Sequence, residues 1–523
     1  MAIDAIYPIR IPGIKAPAQA RSSLARRLTV ILGLACVLVP IQLLLFDLPV
    51  YQALPIAALL GLTGQQFVQF AFGRGQDLFE PINMVAGYFA LYFAIRAIYV
   101  LGWTGVPRLG FFYYDDYIPA ALWCACLGYV AFTAGYRSGF ARRILRRLPE
   151  STASWPRTAP GIRIGLLLIA GFAAWVYLFR HGAFVVGAVA EEAGRNFHSD
   201  PVPGIAVSLG SLLDFGWVAV CVSIMLKKRK ANPVTIATVA TLAIALLAVR
   251  VVYTGSKQYL LEPLVQAMIV YHYVKHRVRL RYALLVGVPC GLLAFGALNV
   301  YRFVIIGESG GAPTSFEDLL GRVSYAWDYF RSDRTDGMQQ SALESLMRRQ
   351  FGADALALVM KYTPERRAFG YGASYLTVPE QTFVPRQLWK DKPIYIPTDD
   401  FERDYMGVPP GGFSSMHVIS DLYQNFNIFG VVGGMFVIGI AFQFLYECCA
   451  PMRANGIRLF AYALLVPGLV HALEANPVTD SIIYLRIGFL LIVVIRFLGV
   501  KAAKGIDRGG IAQAACLAPC VKV

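Results

Sequence analysis

The sequence contains few charged residues: Asp, Glu, Lys and Arg make up 15% of its 523 residues. A soluble domain carries about 25% charged residues, so this composition argues against one. Phosphate-binding loops, nucleophile elbows and zinc-ligand spacings do not occur in the segments expected in the cytoplasm, which argues against a nucleotide-driven mechanism there. None of the nine cysteines falls in the long hydrophilic segment 304–425, so no disulfide framework is predicted.

Apolar residues dominate instead, at 57% of the chain, with a mean hydropathy of +0.54. Runs long enough to cross a bilayer, about 20 residues, recur almost to the end of the chain. We therefore predict an all-α polytopic membrane protein with about 12 transmembrane helices. The predicted spans are 28–46, 50–72, 81–101, 117–136, 162–178, 204–226, 234–252, 259–274, 282–303, 426–446, 459–473 and 481–498.

The distribution of basic residues predicts the orientation. Arg and Lys are concentrated in the connections after the fourth, sixth, eighth and tenth spans, which the positive-inside rule places in the cytoplasm together with both termini. The net charge of +16 thus has a topological source, and no nucleic-acid partner is expected. The predicted divisions are a cytoplasmic segment 1–27, spans 1–9 in 28–303, an outer loop 304–425, spans 10–12 in 426–498, and a cytoplasmic tail 499–523.

The outer loop 304–425, between spans 9 and 10, has the composition of a folded cap. Its sequence predicts one helix over 315–331 and a second over 338–362, broken at Gly352 and ending before Pro364. Beyond Tyr371 the loop is rich in proline, aromatic and charged residues. A disordered linker would contain few aromatic residues, so we expect a cap with binding loops.

Several ionisable residues lie within predicted spans, where their cost makes each a functional hypothesis. Arg96, Glu262 and Arg486 lie about seven residues from the outer ends of their helices, or roughly 10 Å below the outer surface. Asp214 is slightly deeper. These residues form either one shared polar layer or structural ion pairs, such as Arg96 or Arg486 with Glu262.

Basic residues also surround the predicted outer ends of the helices. Arginine binds phosphate oxygens through two hydrogen bonds, and lysine acts as a point charge. The set therefore suits a lipid-linked phosphate, although anchoring to lipid headgroups is the simpler explanation for any single member. Its members are Arg250, Lys257, Arg302, Arg386, Lys390 and Lys392.

Candidate proton acceptors lie beside the last three spans. Asp421 follows His417 by one helical turn, and Glu474 follows His471 on one helix face; Asp421, His471 and Glu474 are each able to accept a hydroxyl proton. The segment TDDFERD offers carboxylates to a divalent cation, but a cap at Asp399 explains its spacing as well. No metal site is assigned. His272 is expected to be a solvated residue on the cytoplasmic side.

Five segments resemble the bacterial Wzy-type oligosaccharide repeat-unit (O-antigen) polymerases. They are DLFEPINMVAGYFALYFAIRAIYV, VYTGSKQYL, NVYRF, YGASYLTVPEQTFVPRQLWKDKP and SDLYQNFNIFGVVGG. The last two are the most specific: a Pro-Arg-x-x-Trp segment, and an acidic-x-Tyr-x-Asn-Phe segment that enters a span. Lys257 stands where Arg is expected after Gly-Ser, and Asn427 where Gly is expected after Asn-Phe.

The resemblance implies a GT-C-like glycosyltransferase of the bacterial inner membrane. Its substrate would be an oligosaccharide linked to polyprenyl (undecaprenyl) diphosphate, joined to others at the periplasmic face for a surface polysaccharide such as O-antigen, capsule or exopolysaccharide. Neither a metal nor a cofactor is expected, and this family often has a chain-length regulator as partner. Fixed cations would meet the leaving charge; Arg250, Lys257, Arg302, Arg386 and Arg486 are the candidates. An O-antigen ligase and a lipid-linked oligosaccharide flippase or transporter remain the alternatives.

Overall fold

The computed structural model describes most of the predicted helical segments. These residues are 48–72, 77–102, 113–147, 161–180, 208–226, 233–254, 257–275, 350–384, 400–408, 416–449, 456–474 and 477–499, with isolated residues elsewhere. The predicted spans 28–46 and 282–303 and the predicted loop helix 315–331 lie outside these ranges, apart from isolated residues.

The described residues form helices and no strand. The helices are α1 (Val50–Phe72), α2 (Pro81–Gly102), α3 (Ile118–Arg137), α4 (Phe140–Leu145), α5 (Gly161–Arg180), α6 (Leu212–Met225), α7 (Pro233–Thr254), α8 (Lys257–Val274), α9 (Gly352–Tyr362), α10 (Ala373–Leu376), α11 (Val378–Phe383), α12 (Val418–Cys449), α13 (Gly456–Glu474) and α14 (Pro477–Phe497). The all-helical class is confirmed for this part of the chain.

Within the described ranges, six helical segments are long and apolar enough to cross a membrane: Pro81–Gly102, Asp115–Leu145, Gly161–Leu178, Ser208–Met225, Val418–Cys449 and Gly456–Glu474. Their positions coincide with six of the predicted spans. Helix α12 begins eight residues earlier than predicted, at Val418 rather than at residue 426. The chain is therefore a helical protein with the length and apolarity of a membrane protein.

Helices α3 and α12 pack closely along their length, and small residues make this possible. A Cβ atom on Gly135 would lie 2.0 Å from the backbone oxygen of Phe436, and one on Gly439 would lie 2.2 Å from that of Phe132. Glycines at such crossings let helix backbones approach where no hydrophobic effect drives them together. This pair holds α12 in place and thereby fixes Asp421 near its start.

The helices define two ends of the bundle. We call the end with the C-termini of α2 and α13 and the N-termini of α3 and α12 the loop end. The loop helix α9 packs there against α2, α3 and α12. Residues 352–359 of α9 are all buried, and a Cβ on Gly352 would lie 3.0 Å from the Phe93 ring. Part of the hydrophilic loop thus belongs to the helical core.

A buried polar network joins helices at the opposite end. Asp77, which precedes α2, accepts hydrogen bonds from the Phe79 amide and from the hydroxyls of Tyr273 and Tyr446. His272 accepts the Val278 amide at Nδ1, so Nε2 carries the proton and lies 3.2 Å from Asp77 Oδ1.

This network sets the charge state of Asp77 and overturns one expectation about the opposite end. Burial alone would raise the pKa of Asp77, but the hydrogen bonds from His272, Tyr273 and Tyr446 outweigh it and lower the pKa. His272 is 4% exposed, so the expectation of a solvated histidine was wrong. Its ring is buried because it pairs with the Asp77 carboxylate. The two residues are 195 positions apart, roughly the length of a whole domain, so the sequence does not show the pairing.

Candidate functional site

Asp421 lies in the first turn of α12 and is 2% exposed. The hydroxyl of Tyr375, on the short helix α10, donates a hydrogen bond to its Oδ2 atom. The backbone carbonyl of Asp421 accepts a bond from the Asn425 side chain at 2.9 Å. The predicted proton acceptor is therefore a buried carboxylate. Its hydrogen-bond donor, Tyr375, is only half-buried and thus connects the carboxylate to the surface.

The loop is attached to α12 where this helix is broken. Phe426 and Asn427 have non-helical torsion angles, which removes the ordinary helical partners of the preceding carbonyl groups. The amides of Gly370 and Tyr371 donate to the Gln424 and Asn425 carbonyls, both at 3.1 Å.

One further bond completes the attachment. The Gly372 amide donates to the side-chain oxygen of Asn425 at 2.9 Å. Together with the bond from Tyr375 to Asp421, these contacts join YGASYL and SDLYQNF, which belong to two of the segments that carry the resemblance.

Three non-glycine residues in the described ranges have positive φ, and all lie in this region. They are Tyr371 at 47°, His417 at 61° and Asn427 at 55°. Asn427 combines its φ with a ψ of −154°, close to a conformation that essentially only glycine adopts. Such strain costs about 1–3 kcal/mol per residue and is concentrated at functional sites, so the cluster supports a site around Asp421.

His417 joins α12 to α2 and α13. The Tyr88 hydroxyl donates to the Leu473 carbonyl at 2.8 Å, so its oxygen accepts the Nδ1 proton of His417, at 2.7 Å. Phe351 packs edge-on against the imidazole. Burial lowers the pKa of His417 to about 3, so the ring is neutral, and its buried Nε2 atom has no hydrogen-bond partner within the described structure.

The second pair of predicted proton acceptors lies near the end of α13. Glu474 accepts a hydrogen bond from the Tyr92 hydroxyl at 3.0 Å. His471, one turn earlier, is exposed. A π-helical turn at Ala90–Ile95 widens α2, so that Tyr88, Tyr92 and Arg96 all face the interior of the loop end.

Arg96 forms a buried ion pair with Asp354 of the loop helix α9. Its Nε and Nη2 atoms lie 2.8 and 3.0 Å from the carboxylate oxygens, and the Tyr114 hydroxyl donates to the same carboxylate. The partner is thus a loop residue rather than the predicted Glu262. Both charged side chains are almost fully buried, with exposures of 2% and 0%, so this pair fixes α9 in the bundle.

Arg250 forms a comparable pair with Asp214, between α7 and α6. Its two terminal nitrogens lie 3.0 and 2.9 Å from the carboxylate oxygens. The guanidinium carbon lies 4.2 Å from the Tyr259 ring centre and 5.4 Å from that of Trp175. Glu262 accepts weaker bonds from glutamines of its own helix, one turn away on either side.

The other predicted phosphate-binding residues lie outside these two ion pairs. Arg486 lies exposed on α14, and Lys257 begins α8. Arg302, Arg386, Lys390 and Lys392 lie outside the described residues. Arg96 and Arg250 are almost fully buried and each is paired with a carboxylate, so the phosphate-binding prediction now depends mainly on the other basic residues.

The acidic segment TDDFERD is used for loop structure. Arg367 pairs with Asp404 at 2.5 Å and Asp400 at 3.5 Å, and Arg403 pairs with both carboxylates. The Tyr405 hydroxyl bonds to Thr363, and burial raises its pKa to about 12. In the described part of the chain, no three metal-ligating side chains come together.

Sequence reasoning missed Tyr375, Asp354, Tyr88 and Tyr92. Tyr375 lies inside the segment YGASYL that carries the resemblance, which is the one signal that pointed to it. A comparison with protein-family models, curated proteins and solved structures finds no match to this chain. The class that the fold defines is therefore a helical membrane-type protein, and the functional argument depends on the site itself.

Proposed function

We propose that this chain is a polymerase that joins polyprenyl-diphosphate-linked oligosaccharide repeat units into a surface polysaccharide. The loop end would face the periplasm, at the inner membrane of a bacterium. The observation that carries the proposal is the contact of Tyr375 with Asp421, in which two of the segments that carry the resemblance meet. Three strained residues surround this contact, and strain of this kind is typical of active sites.

In the proposed reaction, a hydroxyl oxygen of the acceptor glycan attacks the anomeric carbon of the donor glycan. A new carbon–oxygen bond forms as the bond to the diphosphate breaks, and polyprenyl diphosphate leaves with the electron pair. The acceptor proton passes to the oxygen of Tyr375 while the Tyr375 proton passes to Asp421. This route suits a carboxylate that is buried behind a half-exposed phenol.

The leaving diphosphate requires cations near the reacting carbon. Arg302, Arg386 and Lys392 are the proposed partners. Lys257 at the start of α8 and Arg486 within α14 are further candidates. Arg96 and Arg250 are reassigned to structural ion pairs because each already binds a carboxylate through two nitrogens.

The opposite end of the bundle argues against a transporter. Alternating access requires each end of the bundle to open in turn. Here Asp77 binds residues of α8 and α12, and the Tyr462 hydroxyl of α13 donates to the Phe79 carbonyl at 2.5 Å. Opening that end would break several buried hydrogen bonds, each worth about 1 kcal/mol and more when charged. The polar groups of the loop end instead favour transfer at one face.

Gene deletion followed by glycan electrophoresis tests the proposal. A polymerase deletion leaves single repeat units on the lipid A-core, without a ladder. Long polymers that remain on polyprenyl diphosphate would indicate a ligase, and repeat units confined to the cytoplasmic leaflet would indicate a flippase. A normal ladder would refute any of the three roles.

Complementation with variants then tests the site. Asp421→Asn should restore no ladder, and Tyr375→Phe should reduce polymer by about 100–10,000-fold, the usual contribution of a proton-transfer group. Glu365→Gln is the matched acid-to-amide control, because Glu365 lies exposed on the same loop. Equal membrane levels of all variants are required. A normal ladder with Asp421→Asn would remove Asp421 as the base.

A further inference from the structure

Tyr371 is an aromatic residue that the fold does not need for its own packing. Its side chain is 77% exposed, and its ring lies 6.3 Å from that of Phe369, at the limit of a useful ring contact. Its backbone has a φ of 47°, which favours glycine or asparagine. The hydrogen bond from its amide to the Asn425 carbonyl requires only the backbone. Glycine at this position would therefore give a more stable fold than tyrosine.

The surroundings of Tyr371 show what an exposed ring can bind there. Phe426 is 41% exposed, and its ring covers Gly372, where a Cβ atom would lie 2.7 Å from the ring carbon Cζ. The rings of Tyr375 and Phe426 are 6.4 Å apart. Exposed aromatic surface thus lies next to the phenol of Tyr375 and the amide of Asn425.

We propose that Tyr371, together with Phe426, is a stacking surface for a pyranose ring of the acceptor glycan. This inference rests on the proposed function and adds a substrate-binding position to it. One face of a pyranose consists of polarised C–H groups, which match the negative face of an aromatic ring, and its rim consists of hydroxyls. A glycan stacked on Tyr371 would bring a hydroxyl towards Tyr375 and thus towards Asp421.

A lipid acyl chain is the competing occupant, because tyrosine is common at membrane interfaces. Lipid contact needs an apolar side chain of any shape, whereas stacking needs an aromatic face. Tyr371→Leu and Tyr371→Phe therefore separate the two explanations. Tyr371→Gly removes the side chain and also relieves the strain of the positive φ. Because this variant should not destabilise the fold, a loss of function would come from the missing ring.

The experiment compares these variants in deletion cells at matched membrane levels. We expect Tyr371→Phe to keep the wild-type ladder, and Tyr371→Leu and Tyr371→Gly each to reduce polymer at least tenfold. Thermal stability in detergent should be unchanged or higher for Tyr371→Gly. Leu376→Ala is the control, since Leu376 is exposed to 78% on the same loop, and it should match wild type.

Binding gives a second, independent readout. The probe is the free glycan of a single repeat unit. It is extracted from the deletion cells as the lipid-linked form and released from its anchor by mild acid. Purified wild-type protein and Tyr371→Phe should bind it at least tenfold more tightly than Tyr371→Leu. Wild-type activity of Tyr371→Leu and Tyr371→Gly, or equal glycan binding by all variants, would overturn the stacking surface. Absence of polymerisation by wild type would overturn the proposed function itself.

Discussion

The ion pair between Arg96 and Asp354 provides the sharpest test of how the loop is held. Arg96→Met removes the cation but keeps the length of the side chain. The carboxylate of Asp354 then stays buried, at 0% exposure, without its charge partner. Breaking a buried pair in this way costs about 3–5 kcal/mol. We expect the midpoint of unfolding in mixed detergent and SDS micelles to fall accordingly.

The double variant Arg96→Met/Asp354→Leu measures the pair itself. It leaves no buried charge at this pair, and the chief remaining cost is the lost hydrogen bond from the Tyr114 hydroxyl to Asp354, at about 1–3 kcal/mol. The double variant should therefore be about 2 kcal/mol more stable than Arg96→Met alone.

Arg142→Met is the control, because that residue forms an exposed pair with Glu447 and should cost at most about 1 kcal/mol. The structural role of Arg96 would be refuted if Arg96→Met unfolded at the wild-type midpoint while the glycan ladder disappeared. In that case Arg96 would act on substrate.

Three more perturbations follow from strain, buried histidine and the opposite end. Asn427→Gly should raise unfolding free energy by about 1 kcal/mol and Asn427→Ala lower it, because the backbone conformation favours glycine; equal destabilisation in SDS titrations would contradict the strain. The pKa of His417 is depressed to about 3, so its contribution to stability is complete above pH 6.5 and is lost as pH falls. Stability should drop by about 2 kcal/mol from pH 6.5 to 5, with a smaller slope in His417→Phe. Asp77→Asn should lower the free energy of unfolding by about 1–3 kcal/mol and leave the ladder intact at matched protein levels; a lost ladder would give this network a functional role.

The positions and ends of helices were predictable because they depend on local features, namely the length of an apolar run and the positions of proline and glycine. The sequence predicted 50–72 as a span, and α1 occupies Val50–Phe72. It also placed a break at Gly352, and α9 begins there and ends at Tyr362, before Pro364. These boundaries depend on residues within a few positions of each other, which a single sequence displays directly.

Charge pairing was not predictable because its partners are distant in sequence. One of the two alternatives for Arg96 was an ion pair with Glu262 of another membrane helix. Its partner is instead Asp354, 258 positions away, in the second predicted helix of the outer cap. Asp421 was selected as a base candidate from its own position. The contact of its hydrogen-bond donor Tyr375 depends on how the loop folds back onto α12. The sequence alone does not indicate that fold.

The break in α12 explains both the loop attachment and the unusual residue at its centre. In an unbroken helix, the Ile428 amide would donate to the Gln424 carbonyl. Here the Ile428 amide donates to the side chain of Asn427 at 2.7 Å, and the loop amide of Gly370 takes the freed carbonyl. Straightening the helix would therefore release the loop and separate Tyr375 from Asp421. The torsion angles of Asn427 give a physical reason why the resemblance expects glycine at this position, and the local hydrogen bond of its side chain shows how asparagine replaces it.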